Sequence, residues 1–241
     1  LAQAAAFVLV AWALGTTLPV IGPNTPMVLV AAVASALMLG ALVFLAREYE
    51  EARSLEALEQ DAATLGSDIR TSLIRNLQTL QSLHASRPSA EAWEPMAAEL
   101  LGQHRELVRL EWRSNDLRLL AARDSGFHPL LFEVAPRSQS LADVRQACTA
   151  AGRNNTPSYS QSYFWPIPQG LGLELMEVCV PLFVAARPDG YFVATYALQG
   201  MLSEFTNKDT LRGKAVALTE VDGTRLSLYG NVAGRRRTMH A

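Results

Sequence analysis

The first 46 residues of the chain contain no Asp, Glu, Lys, Arg or His. Two apolar runs, residues 4–21 and 27–46, fill most of this segment, and the turn-forming sequence 22–26 (GPNTP) separates them. The second run has the length of a helix that spans a bilayer. All 21 Lys and Arg and all 23 Asp and Glu follow Ala46. The sequence therefore predicts a transmembrane leader of one or two spans at residues 1–46 and a water-soluble region after it.

The residues around the leader leave its processing and its orientation open. A cleaved signal peptide is the competing interpretation of either run, although no basic residue precedes the first run. Arg47 directly follows the second run. By the positive-inside rule, this single arginine favours the cytoplasmic side for the start of the soluble region.

The soluble region begins with helical periodicity and then changes to strand periodicity. Apolar residues recur every three or four positions over 47–84, which predicts one long helix that starts in the membrane. Further helices are predicted at 90–103, at 141–151 with Gly152 as the C-terminal cap, and at 198–205. Alternating segments predict strands at 106–113, 117–123, 163–166, 173–185 and 191–197, the last two joined by a turn at 187–190. One more hairpin is predicted at 214–229, with strands at 214–220 and 224–229 and a turn at 222–223. This order predicts an α+β fold with a central antiparallel sheet.

No catalytic signature is present. The sequence has no phosphate-binding glycine loop, no HExxH and no GxSxG, and its four histidines are scattered. We therefore expect no catalytic residue, no metal site and no cofactor in these residues. A net charge of −2 also argues against a nucleic-acid partner.

The two cysteines, Cys148 and Cys179, are too few for a disulfide scaffold and do not form a CxxC pair. One is predicted near a helix end and the other on a central strand, so they could meet across the helix–sheet interface. A disulfide and two buried free thiols remain alternatives.

One segment has an unusual composition. Residues 159–165 (YSQSYFW) combine aromatic side chains with small polar ones, as the walls of small-ligand pockets do. A strand with one aromatic face in the core is the alternative. On the predicted hairpin, Trp112 and Arg113 point to opposite faces. Arg113 could bind an anionic ligand, or it could be a solvated strand residue.

The succession of these segments resembles a known family. A membrane span that continues into a long helix, the hairpin LVRLEWRSNDLRLLAA, the segment YSQSYFWP and the segment LELMEVCVPLFVAARPDGYFVATYALQGMLSEF are similar to the extracytoplasmic Cache (PAS-like) sensor region of bacterial membrane-bound sensor histidine kinases. The likeness covers roughly residues 47–229. It is greatest to the tandem-domain type typified by dicarboxylate sensors.

The resemblance implies a domain organisation. Residues 47–200 would form a Cache/PAS-like sensor domain with its long N-terminal helix, and residues 201–241 would begin a second, membrane-proximal sensor domain that is truncated here. The sensor would lie outside the cytoplasmic membrane, in a multi-pass protein of the cell inner membrane. This sidedness is opposite to the one that Arg47 favours.

The resemblance also implies a function and its partners. The chain would be the ligand-sensing N-terminal region of a two-component sensor histidine kinase that acts as a homodimer, binds a small molecule such as a carboxylate, and signals to a cytoplasmic response regulator. ATP and Mg²⁺ would be needed only by the kinase part, which these residues do not contain. The alternatives are the same sensor module on a chemoreceptor or a cyclic-dinucleotide enzyme, and a membrane-anchored enzyme.

In a PAS-like sensor the pocket would lie between the central sheet and the loop-rich segment before Tyr159. The residues expected to line it are aromatic walls, one hydroxyl and one charge: Trp112, Arg113, Tyr159, Ser160, Tyr163, Trp165 and Tyr196.

Overall fold

The computed structural model describes residues 25–85, 89–128, 131–134, 137–167, 171–206 and 214–230. The first apolar run, residues 4–21, lies outside them, so the prediction of a second span is neither supported nor contradicted. The chain divides into two units, Leu1–Ala57 and Leu58–Ala241. The second unit contains the sheet.

The first described element is a single helix of 61 residues, α1 (Thr25–Ala85). It begins earlier than the helix predicted at 47–84 because the second apolar run passes into the amphipathic stripe without a helix-breaking residue. Residues 30–50 are exposed, and the apolar part of the helix has a mean hydropathy of 2.1. By length and composition, α1 can cross a membrane.

The core of the second unit is a five-stranded antiparallel sheet with the strand order β2-β1-β5-β4-β3. Its strands are β1 (Leu107–Arg113), β2 (Leu119–Asp124), β3 (Ser158–Ile167), β4 (Leu171–Val184) and β5 (Arg187–Ala197). The helices around it are α2 (Ala90–Gln103), α3 (Leu131–Val134), α4 (Leu141–Asn154) and α5 (Leu198–Phe205), with a 3₁₀ turn at Arg137–Ser140. The predicted α+β fold with a central antiparallel sheet is confirmed.

The two faces of this sheet are covered by different elements. On one, which we call the helix-side face, the core joins Leu80 of α1 and Trp93 of α2 to Leu110, Val178 and Phe192 of the strands. The other, which we call the distal face, is covered by the chain between β2 and β3. Successive strand residues point to opposite faces, so β1, β4 and β5 contribute to both.

A disulfide bond between Cys148 and Cys179 attaches α4 to the distal face, with a Cα–Cα distance of 5.0 Å. The two sulfur atoms lie in a small core with Val144, Ala151 and Val193. Of the two alternatives that the sequence left open, the structure has the disulfide across the helix–sheet interface.

The predicted C-terminal cap of α4 is wrong. The helix continues past Gly152 to Asn154, and Asn155 adopts the left-handed conformation with φ 53°. Asparagine tolerates this conformation well. Gly152 has a packing role instead, because a Cβ at this position would lie 2.6 Å from the Tyr191 hydroxyl.

The turn predicted at 187–190 is also displaced. Ala185 and Ala186 both have positive φ angles, 48° and 62°, and they form the two-residue connection between β4 and β5. Residues 187–190 belong to β5. Gly190 has φ 125°, and a Cβ there would lie 2.3 Å from the Arg113 carbonyl oxygen, so this glycine is required by the close approach of β1.

A separate two-stranded sheet follows α5. It pairs β6 (Ala215–Thr219) with β7 (Arg225–Gly230), as the hairpin predicted at 214–229 anticipates. The ammonium group of Lys214 forms an ion pair with Asp61 of α1. That this hairpin begins a second sensor domain stays a prediction.

Candidate functional site

Two glutamate side chains are completely buried on the distal face. Glu111 of β1 and Glu177 of β4 are both 0% exposed, as is Thr195 of β5 between them. Charged residues are almost never fully buried unless they are paired. The partners of these two carboxylates therefore define the site.

The central partner is Arg137, which comes from the 3₁₀ turn that covers the face. Its Nε donates to Glu111 Oε1 at 2.9 Å and its Nη1 donates to Glu177 Oε1 at 2.6 Å. Its Nη2 donates to the Thr195 hydroxyl at 3.3 Å, and Nη1 also contacts the hydroxyls of Ser140 and Tyr163. One guanidinium group thus contacts side chains of four strands of the sheet, β1, β3, β4 and β5.

Glu111 has two further arginine partners on its own strand. Arg109 Nε donates to Oε1 at 2.7 Å and Arg113 Nη2 lies 2.7 Å from Oε2. Arg109 also pairs with Asp124 of β2 at 2.6 Å, and Arg113 Nη1 donates to the Leu117 carbonyl at 2.7 Å. Glu111 therefore lies among three guanidinium groups.

Glu177 is surrounded mainly by hydroxyl groups. Tyr163 donates a hydrogen bond to Oε1, and Thr195 donates to Oε2 at 2.9 Å. The backbone N–H of Glu177 donates to the Ser160 hydroxyl at 3.0 Å. Within the described residues, Arg137 is the only cation paired with the Glu177 carboxylate.

The ion pairs shift the pKa values of the cluster. Burial alone would raise the pKa of Glu111, but the charges of Arg137, Arg113 and Arg109 outweigh it and lower the pKa from 4.5 to about 2. Burial would lower the pKa of Arg137, and the carboxylates of Glu177 and Glu111 raise it instead. Burial and the nearby Glu177 carboxylate raise the pKa of the Tyr163 hydroxyl. Glu111 and Arg137 are therefore charged at neutral pH.

Aromatic side chains cover the cluster. The Phe132 ring of α3 lies under the guanidinium carbons of both Arg109 and Arg137, at 5.2 and 5.0 Å from its centroid. Trp165 of β3 packs edge-on against Phe132 at 5.0 Å, and its indole N–H donates to the Leu131 carbonyl at 2.8 Å. We call Leu131–Val134 and Arg137–Ser140 together the covering segment.

A third buried carboxylate connects the sheet to α1. Glu106, just before β1, accepts hydrogen bonds from Asn76 Nδ2 of α1 at 2.8 Å and from His104 Nδ1 at 2.9 Å. Burial would raise the pKa of Glu106, but the hydrogen bonds from His104 and Asn76 lower it. This contact joins α1 directly to the sheet.

Four of the seven residues predicted from the sequence lie around the cluster. Arg113, Ser160 and Tyr163 contact its carboxyl-bearing residues, and Trp165 holds the covering segment. Trp112 and Tyr196 lie in the helix-side core, so Trp112 and Arg113 do point to opposite faces as predicted. Tyr159 is an exposed residue of β3. That these residues line a ligand pocket stays a prediction.

Four polar residues at the centre of the cluster are not among those predicted from the sequence: Glu111, Arg137, Glu177 and Thr195. Glu111 and Glu177 did carry a signal, since each is a charged residue at a position that alternates with apolar ones in a central strand. Arg137 carried none. It lies in a polar stretch of no regular periodicity, and only the fold brings it to the two carboxylates.

The described residues contain no group of three or more His, Cys, Asp or Glu side chains that could hold a metal ion. The cluster combines three arginines with two buried glutamates and a partly exposed aspartate. Its contacts are ion pairs and hydrogen bonds.

No family model matches the chain, and no curated protein does. Several solved structures, however, are similar to the chain. The ligand-binding domain of the Campylobacter jejuni chemoreceptor Tlp3, in complex with L-norvaline, has a TM-score of 0.50 at 11% identity, and the match covers 73% of this chain and 69% of that one. The structure therefore has an α+β, PAS/Cache-like fold.

Two other solved structures are similar to the chain at a lower score. The ligand-binding domain of the Pseudomonas fluorescens chemoreceptor CtaA, in complex with L-isoleucine, has a TM-score of 0.44 at 19% identity, covering 76% of this chain and 71% of that one. The ligand-binding domain of the Pseudomonas aeruginosa chemoreceptor PctB, in complex with L-Arg, has a TM-score of 0.44 at 16% identity, covering 71% and 69%.

Proposed function

We propose that this chain is the ligand-sensing region of a membrane-bound bacterial signalling receptor. The observation that carries the proposal is the buried charged cluster on the distal face, where the covering segment meets the sheet. A buried ionic network is weak as a stabilising device, because well-packed apolar residues in the same place are often equally or more stable. A binding role explains why charge is kept at the centre of this face.

The location that we propose is the cell inner membrane, in a multi-pass protein with the sensor outside the cytoplasm. The apolar, exposed part of α1 supports membrane attachment. The disulfide between Cys148 and Cys179 supports the extracytoplasmic side, because structural disulfides persist in oxidising compartments and are rare in the cytosol. This evidence outweighs the single Arg47 that favours the opposite side.

Signalling would act by a shift of conformational populations. A ligand that binds one arrangement of the covering segment and the sheet better than another changes their ratio by its difference in affinity. The contact of Asn76 with Glu106 gives such a change a direct route to α1. In a homodimer, which we also propose, movement of α1 relative to its copy would carry the signal across the membrane.

The ligand that we propose is a small metabolite with an ionised group, of the amino-acid or carboxylate kind. Its binding residues would include Arg113, Ser160, Tyr163 and Trp165 at the distal face, while Trp112, Tyr159 and Tyr196 stay in the proposed set as more distant members. The similar chemoreceptor domain with TM-score 0.50 is in complex with an amino acid, L-norvaline.

For the output we propose a histidine kinase of the dicarboxylate-sensor type, which would use ATP and Mg²⁺ and signal to a response regulator. A chemoreceptor is the second candidate, and the similarity to a chemoreceptor domain favours it. In either case residues 47–200 would be the sensor domain and 201–241 the start of a membrane-proximal one. The sequence of the parent protein after Ala241 distinguishes them, since a phosphoacceptor-histidine motif with ATP-binding motifs indicates the kinase and a long coiled coil the chemoreceptor.

The sensing role can be tested by thermal unfolding of the whole chain in detergent with panels of amino acids and of mono- and dicarboxylates. A ligand at 100 times its Kd should stabilise the fold by about 2.7 kcal/mol, which raises the Tm by roughly 5 to 10 °C for a protein of this size.

A matched pair of tyrosine variants makes the test specific for the distal face. Tyr163→Phe removes a hydroxyl that donates to Glu177 and should weaken binding by about tenfold or more. Tyr229→Phe, in the separate β6–β7 hairpin, should leave the affinity unchanged. A folded wild-type chain that no panel member stabilises, or equal affinities in the two variants, would contradict the proposal.

A further inference from the structure

Arg137 comes from the covering segment, but its side chain lies at the centre of the distal face. It does not belong to the sheet, yet its guanidinium lies between Glu111, Glu177 and Thr195, and it uses all three of its nitrogens there. Only 12% of its side chain is exposed. The covering segment thus places a cation in the interior, where a bound ligand group would also have to lie.

The two carboxylates depend on Arg137 to different degrees. Without it, Glu111 would keep the guanidinium groups of Arg109 and Arg113. Glu177 would keep only neutral donors, the hydroxyls of Tyr163 and Thr195, among the described residues. A fully buried carboxylate without a cation is strongly unfavourable. A positively charged N–H donor beside Glu177 therefore compensates the charge of this buried carboxylate.

We propose that Arg137 is an intramolecular occupant of a cation subsite, and that a guanidinium or ammonium group of the ligand replaces it beside Glu177, Tyr163 and Thr195. This inference rests on the proposed sensing function and specifies the ligand chemistry of that site. The exchange replaces one cation with another, so Glu177 stays paired in both states. A dicarboxylate, in contrast, would add negative charge next to Glu177.

The exchange also provides the two states that a sensor needs. When the ligand cation displaces Arg137, the covering segment loses its contacts to Glu111 and Glu177 and keeps the bond from the Trp165 indole to the Leu131 carbonyl. The covering segment is then released at its Arg137 end. Ligand binding would thus change the order of the chain that covers the sheet.

The competition between Arg137 and the ligand predicts that the arginine lowers the apparent affinity of the native protein. The apparent Kd is the intrinsic Kd divided by the fraction of molecules in which the subsite is free. Arg137→Ala should therefore bind methylguanidinium at least about tenfold more tightly than the native chain, measured by calorimetry on the whole chain in detergent. N-methylurea, a neutral compound of the same shape, should bind neither protein.

Two further variants separate a subsite from non-specific binding. The double variant Arg137→Ala/Glu177→Gln should lose at least about tenfold in methylguanidinium affinity relative to Arg137→Ala. Arg123→Ala removes an exposed arginine whose partner is the exposed Glu94, and it should bind methylguanidinium as the native chain does. Equal affinities of the single and double Arg137 variants would overturn the proposal.

Hydrogen exchange on the native chain tests the displacement itself and does not depend on any variant that fails to fold. Saturating methylguanidinium or methylammonium should increase amide exchange in the peptides that contain Arg137–Ser140 and leave that of β1 and β4 unchanged. The response to each of the two cations identifies which head group is accepted. Unchanged exchange with both cations would overturn the proposal, whereas a carboxylate ligand that binds without this change would overturn it and leave the sensing function in place.

Discussion

The two faces of the central sheet use the same strands but different forces. On the helix-side face, Leu110 and Phe192 pack with α1 and α2 in one continuous apolar core. On the distal face, the neighbouring residue Glu111 is held by three arginines. Alternation along β1, LVRLEWR, therefore divides one strand into a structural half and an ionic half.

This difference matters because the two forces respond differently to their surroundings. Apolar packing is non-directional and depends on the area removed from water. Buried ion pairs depend on partner, geometry and protonation, and losing one partner leaves the other uncompensated. The helix-side face is thus suited to hold α1 in place, and the distal face to respond to a change of its contents.

The largest effect on stability is expected from a substitution that creates a cavity on the helix-side face. Phe192 is fully buried against Trp93 and Trp112, so Phe192→Ala should lower the free energy of unfolding by about 4 kcal/mol. Urea denaturation measures it. Phe164→Ala, at an exposed position of β3, is the matched control and should cost less than about 1 kcal/mol. Similar losses in both variants would mean that the helix-side face is not the main apolar core.

A slightly smaller effect is expected from the covalent attachment of the distal face. The disulfide joins residues 31 positions apart, and the loop that it closes in the unfolded chain corresponds to a stabilisation of about 3.5 kcal/mol. The variant Cys148→Ala/Cys179→Ala should lose this amount in urea denaturation under non-reducing conditions. Added reductant should destabilise the native chain and leave the double variant unchanged. Two free thiols, counted in the unsubstituted chain after denaturation without reductant, would contradict the disulfide.

The sequence predicts the helix-side face better than the distal face for a physical reason. Periodicity reports which residues turn away from water, and so it locates α1, α2 and the strands of the sheet. It also places Trp112 and Arg113 on opposite faces of β1. These are properties of neighbouring positions, and they can be read within a few residues of chain.

The distal face depends on contacts that no local pattern encodes. Arg137 is separated by 26 residues from Glu111 and by 40 from Glu177, and its own segment has no periodicity. The displaced features have the same origin: the glycine at 152 is needed by Tyr191, and the one at 190 by the backbone of Arg113. In both cases the local sequence predicts a turn or a cap at the glycine, whereas a tertiary contact requires it.

The smallest of the three effects is the one that depends on pH, and it distinguishes the two faces most directly. The pKa of Glu111 is lowered from 4.5 to about 2 in the folded protein, so its charge stabilises the fold above pH 4.5, and this stabilisation is lost as the pH falls towards 2. Each pKa unit corresponds to about 1.4 kcal/mol, so Glu111→Gln should be destabilised by roughly 3 kcal/mol at pH 7. The difference from the native chain should shrink below pH 4.5 and approach zero near pH 2, as urea denaturation at a series of pH values would show.

Glu94→Gln, which removes the charge of an exposed ion pair with Arg123, should cost less than about 1 kcal/mol at pH 7. A difference for Glu111→Gln that is constant from pH 7 to pH 3 would show that the distal face, like the helix-side face, is held by packing and not by charge.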